Sequence, residues 1–168
     1  MNRLVICGFL LISTPAYALC QQSENTAVEE ARFSELALRY RSILQTRPQR
    51  GTAFDQWYRH YLDAGKLDEL VAGVEREASE KSQDFAAQMI LGLVLERREQ
   101  PDRAAGAYAR AERLAPDNYY PVFLRGLLLA QETRLEEATA ELLRAIELGP
   151  PRAELIEISK KLAQLYLR

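Results

Sequence analysis

The chain has 168 residues, of which 48% are hydrophobic and 27% charged, and its formal net charge is −2 at neutral pH. Acidic and basic residues are interleaved, so the sequence offers no basic face of the kind that nucleic-acid binding requires. It has one histidine and two cysteines, with no CxxC, HExxH or CxxCH pattern, and we predict neither a metal site nor a cofactor.

Residues 1–18 have the pattern of a secretory signal peptide. Arg3 and the free amino group give a positive start, residues 4–12 are an unbroken apolar run, and Ala16-Tyr17-Ala18 places small residues where a signal peptidase cuts. The apolar run is too short to span a bilayer. We expect cleavage after Ala18 and export of the protein to the periplasm or the extracellular space.

Cleavage would leave Cys20 as the one cysteine, which excludes an internal disulfide. A cysteine so near the new N-terminus is typical of lipid-anchored bacterial proteins. However, Tyr17 and Leu19 stand where the lipoprotein cleavage box wants an aliphatic and a small residue. Lipid anchoring through Cys20 is therefore disfavoured relative to a free thiol or an intermolecular disulfide. The longest later apolar stretch, residues 86–95, is about half the length of a transmembrane helix.

Residues 19–50 are predicted to form a polar N-terminus followed by an amphipathic helix. We expect residues 21–25 to lack regular structure and the helix to begin at the capping box Thr26-Ala27-Val28-Glu29. Apolar residues then recur at helical spacing up to Thr46. The helix ends there because the residue before Pro48 disfavours the helical conformation.

Three helical hairpins are predicted between residues 51 and 152, and no stretch alternates like a strand. The predicted helices are Ala53–Ala64 with Leu67–Ser79, Phe85–Arg98 with Pro101–Leu114, Tyr119–Gln131 with Leu135–Leu148, and a last helix at Glu154–Leu167. A second capping box is predicted at Thr133-Arg134-Leu135-Glu136. The fold class is therefore all-α.

The second and third hairpins repeat one another at an interval of 34 residues. Small, apolar and helix-stopping residues keep this register: Gly92 and Gly126, Ala104 and Ala138, Ala111 and Ala145, Pro116 and Pro150. A fixed period of this size is typical of a solenoid built from one supersecondary unit. The glycine allows two antiparallel helices to approach closely, since a side chain there would occupy the crossing point.

With these residues the chain resembles the tetratricopeptide repeat (TPR) proteins that bacteria export. The signature residues are Leu91, Gly92, Ala104, Tyr108, Ala111 and Pro116 in one repeat, and Gly126, Ala138, Ala145 and Pro150 in the next. The resemblance implies a right-handed α-solenoid over residues 51–168, with repeats at about 51–84, 85–118 and 119–152 and a C-terminal helix at 153–168.

Some positions depart from the family pattern. The first repeat is degenerate, because Tyr58 replaces the expected small residue, Leu70 the alanine and Ser82 the proline. In the clear repeats, Gln88 stands where the family prefers an aromatic residue and Arg125 where it prefers leucine.

The resemblance also implies a concave wall, built from the first helix of each hairpin, that binds a partner. The predicted partner-binding residues are Arg59, Met89, Leu93, Glu96, Arg97, Tyr120, Phe123, Leu127 and Gln131. The lysines and asparagines of the family's carboxylate clamp are absent there, so the wall suits an amphipathic helix or an extended peptide. For Phe123 and Leu127, burial against the N-terminal helix or another copy of the chain is an equal alternative.

We expect an interaction adaptor or scaffold for a protein or peptide partner, and no enzymatic activity. His60 has no nucleophile on a strained turn near it in the sequence, and the paired carboxylates are typical of solvated helix surfaces. Two alternatives stay open. The chain could be a structural spacer that associates with itself, which the unfinished final repeat and Cys20 favour, or an N-terminal fragment or accessory domain of a larger envelope protein.

Overall fold

A computed structural model of the chain describes the backbone of residues 15–167 and the side chains of residues 28–167. This part consists of eight α-helices and contains no strand. The helices are α1 (Pro15–Thr46), α2 (Thr52–Asp63), α3 (Leu67–Glu80), α4 (Phe85–Arg97), α5 (Pro101–Leu114), α6 (Tyr119–Gln131), α7 (Leu135–Glu147) and α8 (Arg152–Tyr166). The predicted all-α fold class is confirmed.

Helix α1 begins earlier than predicted. It starts at Pro15, so the predicted start at Thr26 and the absence of regular structure over residues 21–25 are both wrong. The physical reason is that residues 19–25 contain no proline or glycine and include glutamines and a glutamate, which favour helix. Residues 1–14 of the predicted signal peptide lie outside the described residues, and cleavage after Ala18 stays a prediction.

The chain divides within α1 into two compact units, residues 1–36 and residues 37–168. The described part of the first unit is the beginning of α1, where the side chains of Val28 and Leu36 are exposed. The second unit contains the end of α1 and the other helices, and a single cluster of buried apolar residues runs through it from Leu44 to Leu165.

The three hairpins of the second unit share one backbone register. Gly65, Glu99 and Thr133 follow their first helices at equal intervals, and all three adopt positive φ angles, of 68°, 57° and 61°. The amide after each donates to a carbonyl five residues earlier: Lys66 to Tyr61 at 2.8 Å, Gln100 to Leu95 at 3.0 Å and Arg134 to Leu129 at 3.0 Å. This is the pattern of a Schellman helix end. The turn of the first hairpin thus has the same backbone conformation as the other two, although its side chains are degenerate.

This turn also explains why one predicted cap does not form. Thr133 adopts the left-handed conformation, and its hydroxyl donates to the carbonyl of Glu132 at 2.6 Å. No side-chain cap is present at the start of α7, where Arg134 is the capping residue. The predicted capping box from Thr133 to Glu136 is therefore wrong. Asp84 and Asn118 do cap their helices, with a carboxylate accepting from Ala86 N–H at 2.8 Å and an amide oxygen accepting from Tyr120 N–H at 3.0 Å.

Close crossings at Gly92 and Gly126 hold the second and third hairpins together. A Cβ atom at Gly92 would lie 2.3 Å from a ring carbon of Tyr108, and one at Gly126 would lie 2.9 Å from the side chain of Leu142. Tyr108 and Leu142 are fully buried. The side chain of the second helix therefore occupies the space that the glycine leaves open.

The first hairpin has the sizes reversed, and α2 and α3 approach one another less closely than the paired helices of the other two hairpins. Tyr58 stands at the position equivalent to Gly92, and Val74 at the position equivalent to Tyr108. Both are buried. The large side chain thus lies on the first helix and the smaller one on the second.

The two departures from the family pattern form polar links. Gln88, only 1% exposed, donates to the carbonyl of Ala78 and accepts from the Arg110 guanidinium, both at 2.7 Å. Arg125 forms ion pairs with Glu112 of the preceding hairpin and with Glu141 of its own. Gln88 and Arg125 thus each make polar contacts with two other helices, in place of the apolar contact of the family's usual residue.

We predict that Gly92→Ala will destabilise the protein by about 1–3 kcal/mol, because the added methyl overpacks the crossing against Tyr108. Gly106→Ala is the matched control. There the nearest atom is the end of the Arg110 side chain, 3.7 Å away, and the loss of a helical glycine should stabilise by about 0.5–1 kcal/mol. Urea unfolding followed by circular dichroism measures both. Equal effects of the two substitutions would contradict the crossing as described.

Candidate functional site

The connector between α1 and α2, residues 47–51, lies against the first helices of the later hairpins. The Arg50 amide donates to the Tyr120 hydroxyl at 2.9 Å, and the Arg50 guanidinium forms an ion pair with Glu96. Pro48 is buried. The connector is thus fixed to α4 and α6 on the side that the sequence assigned to a partner.

Glu96 is the centre of this attachment. Its second carboxylate oxygen accepts from the Tyr108 hydroxyl at 2.7 Å. Burial raises the pKa of Tyr108 well above its usual value, and the Glu96 charge raises it further. Burial also raises the pKa of Tyr120, although the hydrogen bond from the Arg50 amide opposes the shift. Both phenols therefore keep their protons at physiological pH, so that Tyr108 donates and Tyr120 accepts.

The end of α1 is held by a second ionic contact. Arg41 pairs with Glu77 of α3, and its guanidinium carbon lies 5.6 Å from the centre of the Trp57 ring. Burial alone would raise the pKa of Glu77, but hydrogen bonds from Arg41 and Lys81 outweigh it and leave that pKa lowered. The charged form of Glu77 is thus favoured in the fold. Its ion pair with Arg41 fixes the end of α1, after which the connector continues onto α4 and α6.

Two cavities lie along this side, the first of them beside the connector, and we refer to them together as the groove. The first, of about 580 Å³, is lined by Arg50, Gly51, Phe54, Asp55, Leu93, Glu96, Arg97, Glu99 and Gln131. The second, of about 380 Å³, is lined by Leu127, Gln131, Glu157, Lys160, Lys161 and Gln164. Gln131 lines both, so the groove runs along the first helices of consecutive hairpins and onto α8.

The charges at the two ends of the groove differ in sign. In the first cavity Arg50 and Glu96 neutralise one another, which leaves Asp55 and Glu99 with Arg97. Arg97 lies over the Tyr58 ring, 5.7 Å from its centre.

In the second cavity Lys160 and Lys161 form no ion pair with any described residue, and Glu157 is the one carboxylate there. The first cavity therefore has an excess of negative charge and the second an excess of positive charge.

Several predicted partner-binding residues prove to be core residues. Met89, Leu93, Phe123 and Tyr120 are between 0% and 8% exposed, so their placement on an open wall is wrong. Residues 86–95 of α4 are buried on every side, because neighbouring helices and the connector cover the faces that a bare hairpin would leave free. For Phe123 the alternative of burial is the one observed, and Leu93 reaches only the edge of the first cavity.

The other predicted residues keep an accessible surface. Glu96, Arg97, Leu127 and Gln131 line the groove. Arg59 is exposed on α2 but lines neither cavity.

The contributions of the connector and of α8 were not predicted. Nothing local in the sequence marks Arg50 as a partner of Glu96, because the contact spans 46 residues. The α8 residues did carry a signal. At the 34-residue interval Phe123 and Leu127 of α6 correspond to Glu157 and Lys161 of α8, and both of these line the second cavity.

No family model matches the chain, and the comparison with curated proteins found no match. Solved structures do match. The Yersinia enterocolitica type III secretion chaperone SycD, in complex with a peptide of the translocator YopD, is 20% identical with a TM-score of 0.57, over 68% of this chain and 90% of that one.

Two TPR proteins are similar over more of the chain. YrrB, described as a TPR protein with an unusual peptide-binding site, is 18% identical with a TM-score of 0.56 over 81% of this chain and 70% of that one. TTC0263 of Thermus thermophilus is 22% identical with a TM-score of 0.52 over 87% and 79%. The chain therefore has the tetratricopeptide repeat fold, as its sequence signature predicted.

Two further observations concern the described residues alone. They contain no group of three or more histidine, cysteine, aspartate or glutamate side chains placed to hold a metal ion. Among helices α1 to α8, none combines the length and the apolar content that crossing a membrane requires.

We predict that Tyr120→Phe will loosen the connector, because it removes the acceptor of the Arg50 amide. Loss of one neutral hydrogen bond is worth about 1 kcal/mol, or roughly fivefold faster hydrogen exchange at that amide. Tyr119→Phe is the matched control, since the Tyr119 hydroxyl does not bond the connector. Exchange of the Arg50 amide measured by NMR distinguishes the two, and an unchanged rate in Tyr120→Phe would contradict the attachment.

Proposed function

We propose that this helical solenoid is an exported adaptor that binds an extended segment of a partner protein in the groove, without catalysing a reaction. The observation that carries the proposal is the shared wall of the two cavities. Helices α5 and α7 pack against α4 and α6 at the crossings of Gly92 and Gly126. The opposite side of α4 and α6 retains open space around Gln131.

The lining of the groove favours an extended peptide over an amphipathic helix. A bound helix requires a broad apolar strip, and the burial of Met89 and Phe123 removes the middle of the strip that the sequence predicted. The accessible apolar surface comes from Leu127 and from the edges of Phe54 and Leu93. Such separate patches suit the alternate side chains of an extended chain.

The unpaired charges suggest the order of side chains in that peptide. Asp55 and Glu99 in the first cavity favour a basic side chain, and Lys160 and Lys161 in the second favour an acidic one. Complementary charges at both ends would fix the direction of the peptide more than they would raise its affinity. A segment with its basic and acidic residues separated by apolar ones is therefore the expected ligand.

Similar solved structures support peptide binding without deciding it for this chain. One is a secretion chaperone with a translocator peptide bound, and another is described as having a peptide-binding site. Their identities of 20% and 18% extend to the fold alone. Export rests on the sequence features of residues 1–18.

We predict that peptides selected from a displayed library on the immobilised protein will bind the groove. The double variant Leu127→Glu, Lys161→Glu should weaken their binding at least tenfold, because it places negative charge in the cavity expected to hold an acidic side chain. The matched control is Leu62→Glu, Arg113→Glu, which makes the same change in charge at exposed positions outside the groove. Titration calorimetry measures the dissociation constants.

Equal affinity of the selected peptides for both double variants would contradict the groove as the binding site. Circular dichroism must first show that all the proteins are equally helical. Phe123→Glu is unsuitable for this purpose, since Phe123 is 3% exposed and a buried charge would test the core.

We predict that the full chain, expressed in a bacterium, will be recovered from the periplasm or the medium with Leu19 as its first residue. Ala16→Glu, Ala18→Glu should block cleavage, because the peptidase requires small residues there. N-terminal sequencing after cell fractionation measures both. Material that keeps residues 1–18 in the cytoplasm would contradict export, and an N-terminus at a modified Cys20 would indicate lipid anchoring instead.

A further inference from the structure

The Arg50–Glu96 ion pair brings a side chain of the connector into the first cavity of the groove. Both residues line that cavity, and solvent reaches both side chains, which are 35% exposed for Arg50 and 16% for Glu96. The contact joins residues that are 46 positions apart in the sequence. A guanidinium of the protein itself therefore already occupies a carboxylate of the proposed binding surface.

Different partners hold the backbone and the side chain of Arg50. Its amide donates to the Tyr120 hydroxyl at 2.9 Å, whereas its guanidinium pairs with Glu96. Pro48, two residues earlier in the connector, is buried. These backbone and proline contacts do not involve the guanidinium, so it can leave Glu96 while the connector stays in place.

Departure of the Arg50 guanidinium would leave an excess of negative charge in the first cavity. Glu96 would join Asp55 and Glu99, and among the residues that line this cavity Arg97 would be the one cation left. Most of the Glu96 side chain is shielded from water, and a shielded carboxylate that loses its cation is unfavourable. The departure is therefore favourable only if a ligand brings a cation of its own.

We propose that Arg50 holds the place of a basic side chain of the partner, and that this side chain displaces the Arg50 guanidinium from Glu96 when the partner's peptide enters the groove. The inference rests on the proposed peptide binding and names the residue that selects the peptide. Asp55 and Glu99 attract the cation, and Glu96 receives it. A peptide without a basic side chain leaves the ion pair intact and does not gain this contact, so the exchange discriminates between peptides.

The exchange also limits the affinity of the groove. Because the Arg50 guanidinium is attached to the protein, its effective concentration at Glu96 is high. An external cation must compete with it, and the apparent affinity falls with the fraction of molecules in which Glu96 is free. Removal of the Arg50 side chain should therefore strengthen the binding of an external guanidinium.

Ethylguanidinium tests the exchange on the full chain without a known partner. Arg50→Ala leaves room for this small cation beside Glu96, and the variant should bind it at least tenfold more tightly than the parent does. NMR titration followed at the Glu96 amide measures the dissociation constants. Arg47→Ala is the matched control, since Arg47 belongs to the same connector, is exposed and lines neither cavity. It should behave like the parent.

Two further measurements separate a specific site from a general effect of charge. Ethylurea, which has a similar shape and no charge, should not bind Arg50→Ala. Glu96→Gln in the Arg50→Ala background should abolish the binding of ethylguanidinium. Circular dichroism checks that each variant remains helical. Binding of ethylguanidinium to Arg50→Ala that is no tighter than to the parent would overturn the inference.

Peptides selected from the displayed library distinguish this inference from the proposed function. Those that contain a basic residue should bind Arg50→Ala at least fivefold more tightly than the parent, and Glu96→Gln should remove the difference. Equal affinity for the parent and for Arg50→Ala would overturn the exchange and leave peptide binding intact. A library that yields no peptide, together with Glu96-dependent binding of ethylguanidinium, would contradict the proposed function alone.

Discussion

The close approach of paired helices at Gly92 and Gly126 is the constraint on which the rest of the structure depends. With Tyr108 and Leu142 seated against these glycines, one side of each first helix is permanently occupied. The groove therefore lies on the opposite side of α4 and α6. The left-handed turn before each second helix reverses the chain but does not impose the close approach, because the first hairpin has the same turn while α2 and α3 approach one another less closely.

The connector adds a second constraint, which narrows what the opposite side can bind. Arg50 brings its charge to Glu96, and Glu96 is already bonded to Tyr108. Tyr108, which fills the crossing at Gly92, is thus linked through the Glu96 carboxylate to Arg50 of the connector. The first cavity is lined by Arg50 and Gly51 as well as by the repeats, so the proposed binding surface combines repeat residues with the connector.

Sequence reasoning succeeded where one residue type has one steric role. Glycine at a crossing, alanine on the second helix and proline after it predicted the hairpins, and helices α2 to α8 begin and end within two residues of their predicted bounds. It failed where the outcome depends on distant contacts. Met89 and Phe123 have the pattern of an exposed strip until the connector and neighbouring helices cover them. The early start of α1 was missed for a different reason, since a capping box permits a helix start without forbidding an earlier one.

The two ion pairs of Arg125 affect the order in which the protein unfolds. In a solenoid each repeat is stabilised by its interfaces with its neighbours. Arg125 joins the second and third hairpins through Glu112 and Glu141, which are mostly shielded from water, and Arg144 adds a further ion pair to Glu112. These two hairpins therefore form one cooperative unit on unfolding. The ion pairs that join the first hairpin to the second, Arg103 with Glu75 and Arg98 with Asp68, are more exposed. Exposed pairs stabilise less, so the first hairpin is the segment from which opening would spread.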